Sequence, residues 1–150
     1  MADHRDDFPP EYLRWVDERY ELRTADLIRD EEVRSEIYDA IQSVLEEHEL
    51  LVTPTLACLP VENATAGDTK GPTEVNGVEV DPLIGWCLTY PAGFSGHPAA
   101  SIPAGMAEGD LPVGMQLIGR RYADADLLSA SAAFERLRPW RDSYRLAAPS

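Results

Sequence analysis

The apolar positions of this chain follow two rhythms, and the changes between them mark its elements. After the Pro9-Pro10 pair, Tyr12, Trp15, Val16 and Tyr20 recur at helical spacing, which predicts a short amphipathic helix with Pro10 in its first turn. Thr24 stands where it can cap a longer helix, in which Leu27, Val33, Ile37, Tyr38, Ile41, Val44 and Leu45 form one stripe while Asp, Glu and Arg fill the other face. The run HELLVTPT then offers a brief apolar segment from Leu50 to Val52, stopped by Thr53-Pro54, which suits a buried strand.

From Leu59 to Pro82 Gly, Pro, Asn, Asp and Thr dominate, a long loop in which VNGVEV carries an Asn76-Gly77 turn signal between valines and predicts a small hairpin. WCLTYPAGFSGHPA leaves room for one or two helical turns before Gly96 and Pro98. AASIPAG and LPVGMQLIG read as two strands joined by MAEGD, a hairpin or neighbouring pair, with Pro103 and Pro112 near strand ends, where a missing N–H is tolerated. Asp124 is placed to cap a last helix in which Leu127, Ser131, Phe134 and Leu137 share a face, ended by Pro139. The chain is therefore α/β: residues 1–48 mainly helical, 49–119 strands and a long loop, 120–150 a helix and tail.

Composition narrows the function classes. At 150 residues and 44% apolar side chains, one domain or part of one is expected. Acids outnumber bases 27 to 13, and Lys70 is the single lysine. A net charge of -14 argues against nucleic acid and anionic membranes as partners, because phosphate recognition needs clustered Lys/Arg. The excess lies on the first helices, as a solvated face or as an acidic docking surface for a basic partner. A lysine-poor, acid-rich chain also suits a high-salt cytoplasm, a halophilic source. Cys58 and Cys87 lack C-x-x-C spacing, so neither a metal site nor a disulfide is indicated, and a cytoplasmic location is expected. No apolar run approaches bilayer length, and the charged N-terminus is unlike a signal peptide.

Candidate chemistry is sparse. GFSGH, from Gly93 to His97, nearly imitates the nucleophile elbow G-x-S-x-G, but His97 replaces the second glycine and no histidine follows to complete the triad. Ser95 reads instead as a serine whose hydroxyl caps a local turn. A serine activated by lysine needs a desolvated amine, and Lys70 lies among hydrating groups. His48 suits the C-terminal dipole of the long helix, and His4 a frayed tail. Asp124 and Asp126 share one helical turn, where capping explains them without an ion, and the glycines match no phosphate cradle. No catalytic residue, metal ligand or cofactor is expected.

Three stretches in order, EEHELLVTPT, TYPAGFSGHPAASIPAG and GDLPVGMQLIGRRYADADLLSASAAFE, closely resemble the C-terminal part of the amidase signature family, serine hydrolases that cleave carboxylic amide bonds. The resemblance implies that residues 1–150 are the C-terminal portion of an amidase-signature domain, with mixed β-sheet strands flanked by helices and one wall of a substrate pocket. The family's triad, a serine, a second serine with a cis peptide bond and a lysine, lies upstream in a Gly/Ser-rich region. No such run occurs here, so no triad residue carries over and the chain is expected to be inactive alone.

On this reading Gln116 lies on a strand of the sheet and satisfies buried backbone groups beside the site; the alternative is an edge-strand glutamine facing water. Trp86, Tyr90 and Phe94 are candidate acyl or amine pocket residues, or else aromatic core. The likeness is nearer to free-standing amidases than to the amidotransferase component that makes glutaminyl-tRNA. The chain would be a truncated gene product, or one chain of a split enzyme whose upstream amidase portion is separate and which, completed, takes a small-molecule amide. The alternative is a non-catalytic binding or oligomerisation module derived from an amidase. A homo-oligomer, by default a dimer, is expected because Val113, Met115, Leu117 and Ile102 would form an uncovered apolar patch.

Overall fold

The structure, a computed structural model, describes residues 2–64, 69–108 and 111–141. Pro9 and Pro10 open the first helix, α1 (Pro10–Tyr20), with Pro10 in the first turn, where its absent N–H costs nothing. A 3-10 turn, Ala2–Asp7, precedes it and holds His4 Nδ1 3.2 Å from an Asp7 carboxylate oxygen, so His4 is part of a turn rather than a frayed tail.

The long helix, α2 (Thr24–Glu47), differs from expectation at both ends. Its cap is Arg23: the Asp26 carboxylate accepts from the Arg23 backbone N–H at 3.0 Å and from its guanidinium, while Thr24 is already helical. At the other end the cation on the last carbonyls is not His48 but Arg120, which donates to Leu45 O at 2.9 Å and to His48 O at 3.4 Å and pairs with Glu49 at 3.2 Å. The apolar stripe is buried only in its second half, at Ile41 and Leu45; Leu27 and Val33 are exposed.

Three strands follow from the predicted apolar runs: β1 (Leu50–Pro54), β4 (Ala99–Ala107) and β5 (Leu111–Gly119), ordered β1-β5-β4 and antiparallel at both junctions. β1 is therefore an edge of this sheet and only half-buried, not the buried strand its composition suggests. Pro103 sits in the middle of β4, not at its end, which the sheet accommodates because β4 is the opposite edge and its register slips between Pro103 and Gly105. Residues 109–110 of the connection lie outside the described residues. The predicted small hairpin is β2 (Glu74–Val75) and β3 (Val78–Glu79), joined by Asn76 and Gly77 with φ of 51° and 80°, the two positive values of a type I′ turn.

Short α3 (Tyr90–Ser95) ends on Gly96 in the left-handed conformation, and α4 (Asp124–Leu137) closes the described chain. Ala123, not Asp124, precedes the first turn of α4, and Asp124 makes no capping bond; Asp124 and Asp126 both sit in that first turn, where the dipole favours them. Leu127 is its buried residue, while Leu137 is exposed. The tail from 142 lies outside the described residues.

Because side chains alternate along β5, its two faces bury different things. Ile118 joins Leu51 beneath Ile37, Ile41, Leu45 and Ala92, a core between the sheet, α2 and α3. Leu45 is 0% exposed. The opposite face turns Leu117 and Gly119 toward α4, and a Cβ on Gly119 would lie 3.7 Å from Leu127 Cβ. Val113, Met115 and Ile102 on that face are half-buried and Val52 is exposed, whereas Leu117 is buried. Among the described residues no helix is long and apolar enough to cross a membrane.

Candidate functional site

The polar residues of the core-side sheet face line up across three strands. Pairing puts Thr53 opposite Gln116 and Gln116 opposite Ser101, and Thr55 Oγ1 lies 2.7 Å from Ser101 Oγ. Gly114 makes that last contact possible, since a Cβ there would stand 2.7 Å from Thr55 Oγ1 and 2.9 Å from Ser101 Oγ. Gln116 is 2% exposed and donates both amide hydrogens, to Thr53 Oγ1 at 3.0 Å and to the Leu88 carbonyl at 2.9 Å. It therefore faces the interior rather than water, and its nitrogen is fully committed to protein partners.

This line of polar groups borders a cleft of about 320 Å3, lined by Thr89, Ala92, Gly93, His97, Ser101 and Gln116 among others. The far wall is α3, and bonds from two elements hold it. At its entry the Leu88 carbonyl is held by Gln116. At its end Arg34 Nε donates to the Phe94 carbonyl at 2.8 Å, and Ser95 Oγ donates back to Ala92 O at 3.3 Å.

His97, 4% exposed, lies just beyond. Its Nδ1 is 2.9 Å from Ser95 Oγ, its Nε2 is 3.4 Å from Gln42 Oε1, and its ring stacks on Tyr38 at 5.2 Å. Burial holds its pKa below the ordinary histidine value, and the nearby Arg121 guanidinium, itself 5.9 Å from the Tyr38 ring centroid, pushes in the same direction. Ser95 and His97 do not form a nucleophile and base. Ser95 is 5% exposed and its Oγ lies between Ala92 O at 3.3 Å and His97 Nδ1 at 2.9 Å, so its hydroxyl is enclosed by protein groups rather than presented to a substrate.

The four candidate pocket residues are not gathered at one place. Gln116 borders the cleft. Tyr90 and Phe94, four apart on α3, put their rings 6.0 Å from each other on an outward face where both are exposed, so they are not core. Trp86 is separate: its Nε1 donates to Pro82 O at 2.9 Å, and its ring lies where a Cβ on Gly71 would be, 2.0 Å from Nε1. Lys70 is exposed, and no cluster of three His, Cys, Asp or Glu side chains suited to a metal occurs among the described residues. Cys87 bridges to Leu56, and burial, with Cys58 close by, raises its thiol pKa, which makes it a poor nucleophile. Gln42 carries no sequence signal of its own; Tyr38 is legible only as part of the long-helix stripe, and Thr55, Ser101 and Arg121 only as members of the family stretches, without a role.

Comparison with known proteins places the arrangement. The family model described as Amidase matches residues 4–128. The chain is 32% identical over 124 residues to an acylamidase of Rhodococcus erythropolis, covering 81% of this chain and 25% of that protein. It is 33% identical over 122 residues to the A subunit of the glutamyl-tRNA(Gln) amidotransferase of Pseudothermotoga lettingae, covering 79% and 23%. Among solved structures, a bacterial aryl acylamidase of the amidase signature family superimposes with a TM-score of 0.92 at 46% identity, covering 100% of this chain and 31% of that one. The corresponding A subunit from Thermotoga maritima gives 0.61 at 29% identity, covering 93% and 30%. The chain thus spans a quarter to a third of the length of these relatives.

Proposed function

Because the chain belongs to the amidase family, and corresponds to the C-terminal part of its signature enzymes, we propose that it serves in the hydrolysis of carboxylic amide C–N bonds by supplying sheet and pocket wall. The superposition on an aryl acylamidase along the whole chain is the observation that carries this reading, and it favours N-aryl acyl amides as the substrate class. The polar sheet face and α3 form the wall. Gln116 acts as the strut that holds α3 against the sheet, and Tyr90, Phe94 and Trp86 supply apolar surface to the acyl or amine side of the substrate once the rest of the pocket is assembled.

The nucleophilic serine and its lysine come from the part of the family fold that these residues do not match, on a separate chain or a longer one. The chain alone is inactive on amides, takes no cofactor, metal, nucleic acid or membrane, and works in the cytoplasm.

The test is a segment exchange. Residues 1–150 replace the matching 31% of the aryl acylamidase, and hydrolysis of acetanilide is followed in the chimera and in the isolated chain. Turnover in the chimera with none in the isolated chain is expected. A folded chimera without turnover would defeat the reading, as would activity of the isolated chain that disappears in Ser95→Ala. A stable, defined oligomer of a chain whose chimera is dead would favour the non-catalytic module instead.

A further inference from the structure

α3 is only six residues long and gains little stability from its own hydrogen bonds, so its place depends on what holds its ends. Gln116 holds the entry from the sheet through Leu88 O. The exit is held from α2, through Arg34 on the Phe94 carbonyl and through His97, which lies between Ser95 of α3 and Gln42 of α2 with its ring on Tyr38.

We propose that His97 is a positioning residue: by linking Ser95 to Gln42 and stacking on Tyr38 it fixes the rear of α3, and with it the cleft wall whose front Gln116 fixes. It touches no reacting atom and acts through α3. That this wall belongs to an amide pocket rests on the function proposed above; the clamp itself does not.

The surroundings make the clamp sensitive to charge. Arg121 lies beside the stack, with its guanidinium over both Tyr38 and Tyr122, at 5.9 Å and 5.1 Å. On the same side α2 presents Glu31, Arg34 and Asp39, of which Glu31 is paired with Arg34 at 3.5 Å. No carboxylate among the described residues forms an ion pair with His97, so a proton on the ring has only Gln42, Ser95 and the Tyr38 face to stabilise it, against burial and Arg121.

The experiment uses the full chain and two-dimensional NMR. Hydrogen exchange is read at the Gly93 and Gly96 amides, which donate to Thr89 O and Ala92 O, in the native chain, His97→Gln and His97→Phe. His97→Phe, which keeps the stack and loses the bonds, is expected to speed exchange about tenfold relative to the amides of β5, and His97→Gln to recover most of that protection. Independently, the native chain is titrated downward from pH 8. The Gly93 amide and the Gln116 side-chain amide should move with the same midpoint as the His97 ring, and Arg121→Met should raise that midpoint for all three. Exchange at α3 unaffected by His97→Phe, or α3 signals that stay still while His97 titrates, would overturn the proposal.

Acetanilide then separates the two readings. If it shifts the Ser101 and Gln116 signals of the native chain, its binding should weaken about fivefold in His97→Phe. If the folded chimera neither binds nor hydrolyses it while the coupling to α3 holds, the aryl amide reading fails and the clamp stands.

Discussion

Gln116 shows how one side chain can set a stretch of backbone. Its two donated bonds tie a β1 hydroxyl and the loop carbonyl at the entry of α3 to the middle strand of the sheet. Gln116→Leu keeps the volume and removes both bonds, so it should destabilise the chain by about 1–3 kcal/mol in urea unfolding. His97 makes a prediction of opposite chemical character. Its folded pKa is lowered, so its contribution to stability is complete above the ordinary histidine value of about 6.5 and is lost as the pH falls through the folded value. Between pH 7 and 5 the Tm of the native chain should fall more than that of His97→Gln, measured by circular dichroism; parallel curves would remove His97 from the account.

At the scale of elements, α2 is one helix with two environments. Its second half buries Ile41 and Leu45 against β1, β5 and α3, while Leu27, Ile28 and Val33 in its first half are exposed. Leu45→Ala should therefore cost about 2–5 kcal/mol, and Leu27→Ala less than about 0.5 kcal/mol, although both belong to one sequence stripe. Denaturant midpoints for the two variants decide this; equal losses would mean that the first half is covered in solution. The helix ends obey the same logic of local charge. Asp26 and Arg23 close the N-terminus from neighbouring sequence, whereas Arg120 reaches the C-terminus from beyond β5.

At the scale of the molecule two features bear on behaviour in solution. Half of the charge of -14 falls on α1 and α2, nearly all of that on α2, and exposed pairs such as Arg5 with Asp17 and Arg19 with Asp30 offset only part of the repulsion. Screening should raise the Tm between low and molar salt, as a halophilic source requires; a flat or falling Tm would end that idea. The sheet face turned from α2 is partly covered. α4 shields Leu117, while Val52 is exposed and Met115 and Ile102 are half-buried. Association at micromolar concentration in sedimentation is expected, abolished by Val52→Lys on the edge strand; a monomer in both would show that the patch is too small to matter.

The sequence by itself determined the order and type of the elements, the Asn76-Gly77 hairpin and the family, because periodicity, turn chemistry and an ordered set of motifs are local properties of the chain, whereas the inward Gln116 is one of two readings until the sheet encloses it. It could not say which part of an apolar stripe is covered, because the stripe orients a residue on its own helix and says nothing about what lies opposite. Pro103 reads as a strand end until the sheet order makes β4 an edge. Tyr90 and Phe94 read as pocket or core until α3 is docked and leaves both rings exposed, outside the core. His97 meets Gln42, 55 residues away, and Arg120 meets Leu45 across 75, only after the sheet and α2 have packed. Such partners are fixed by packing, since each polar group taken out of water must find a bond within reach wherever the chain has brought it.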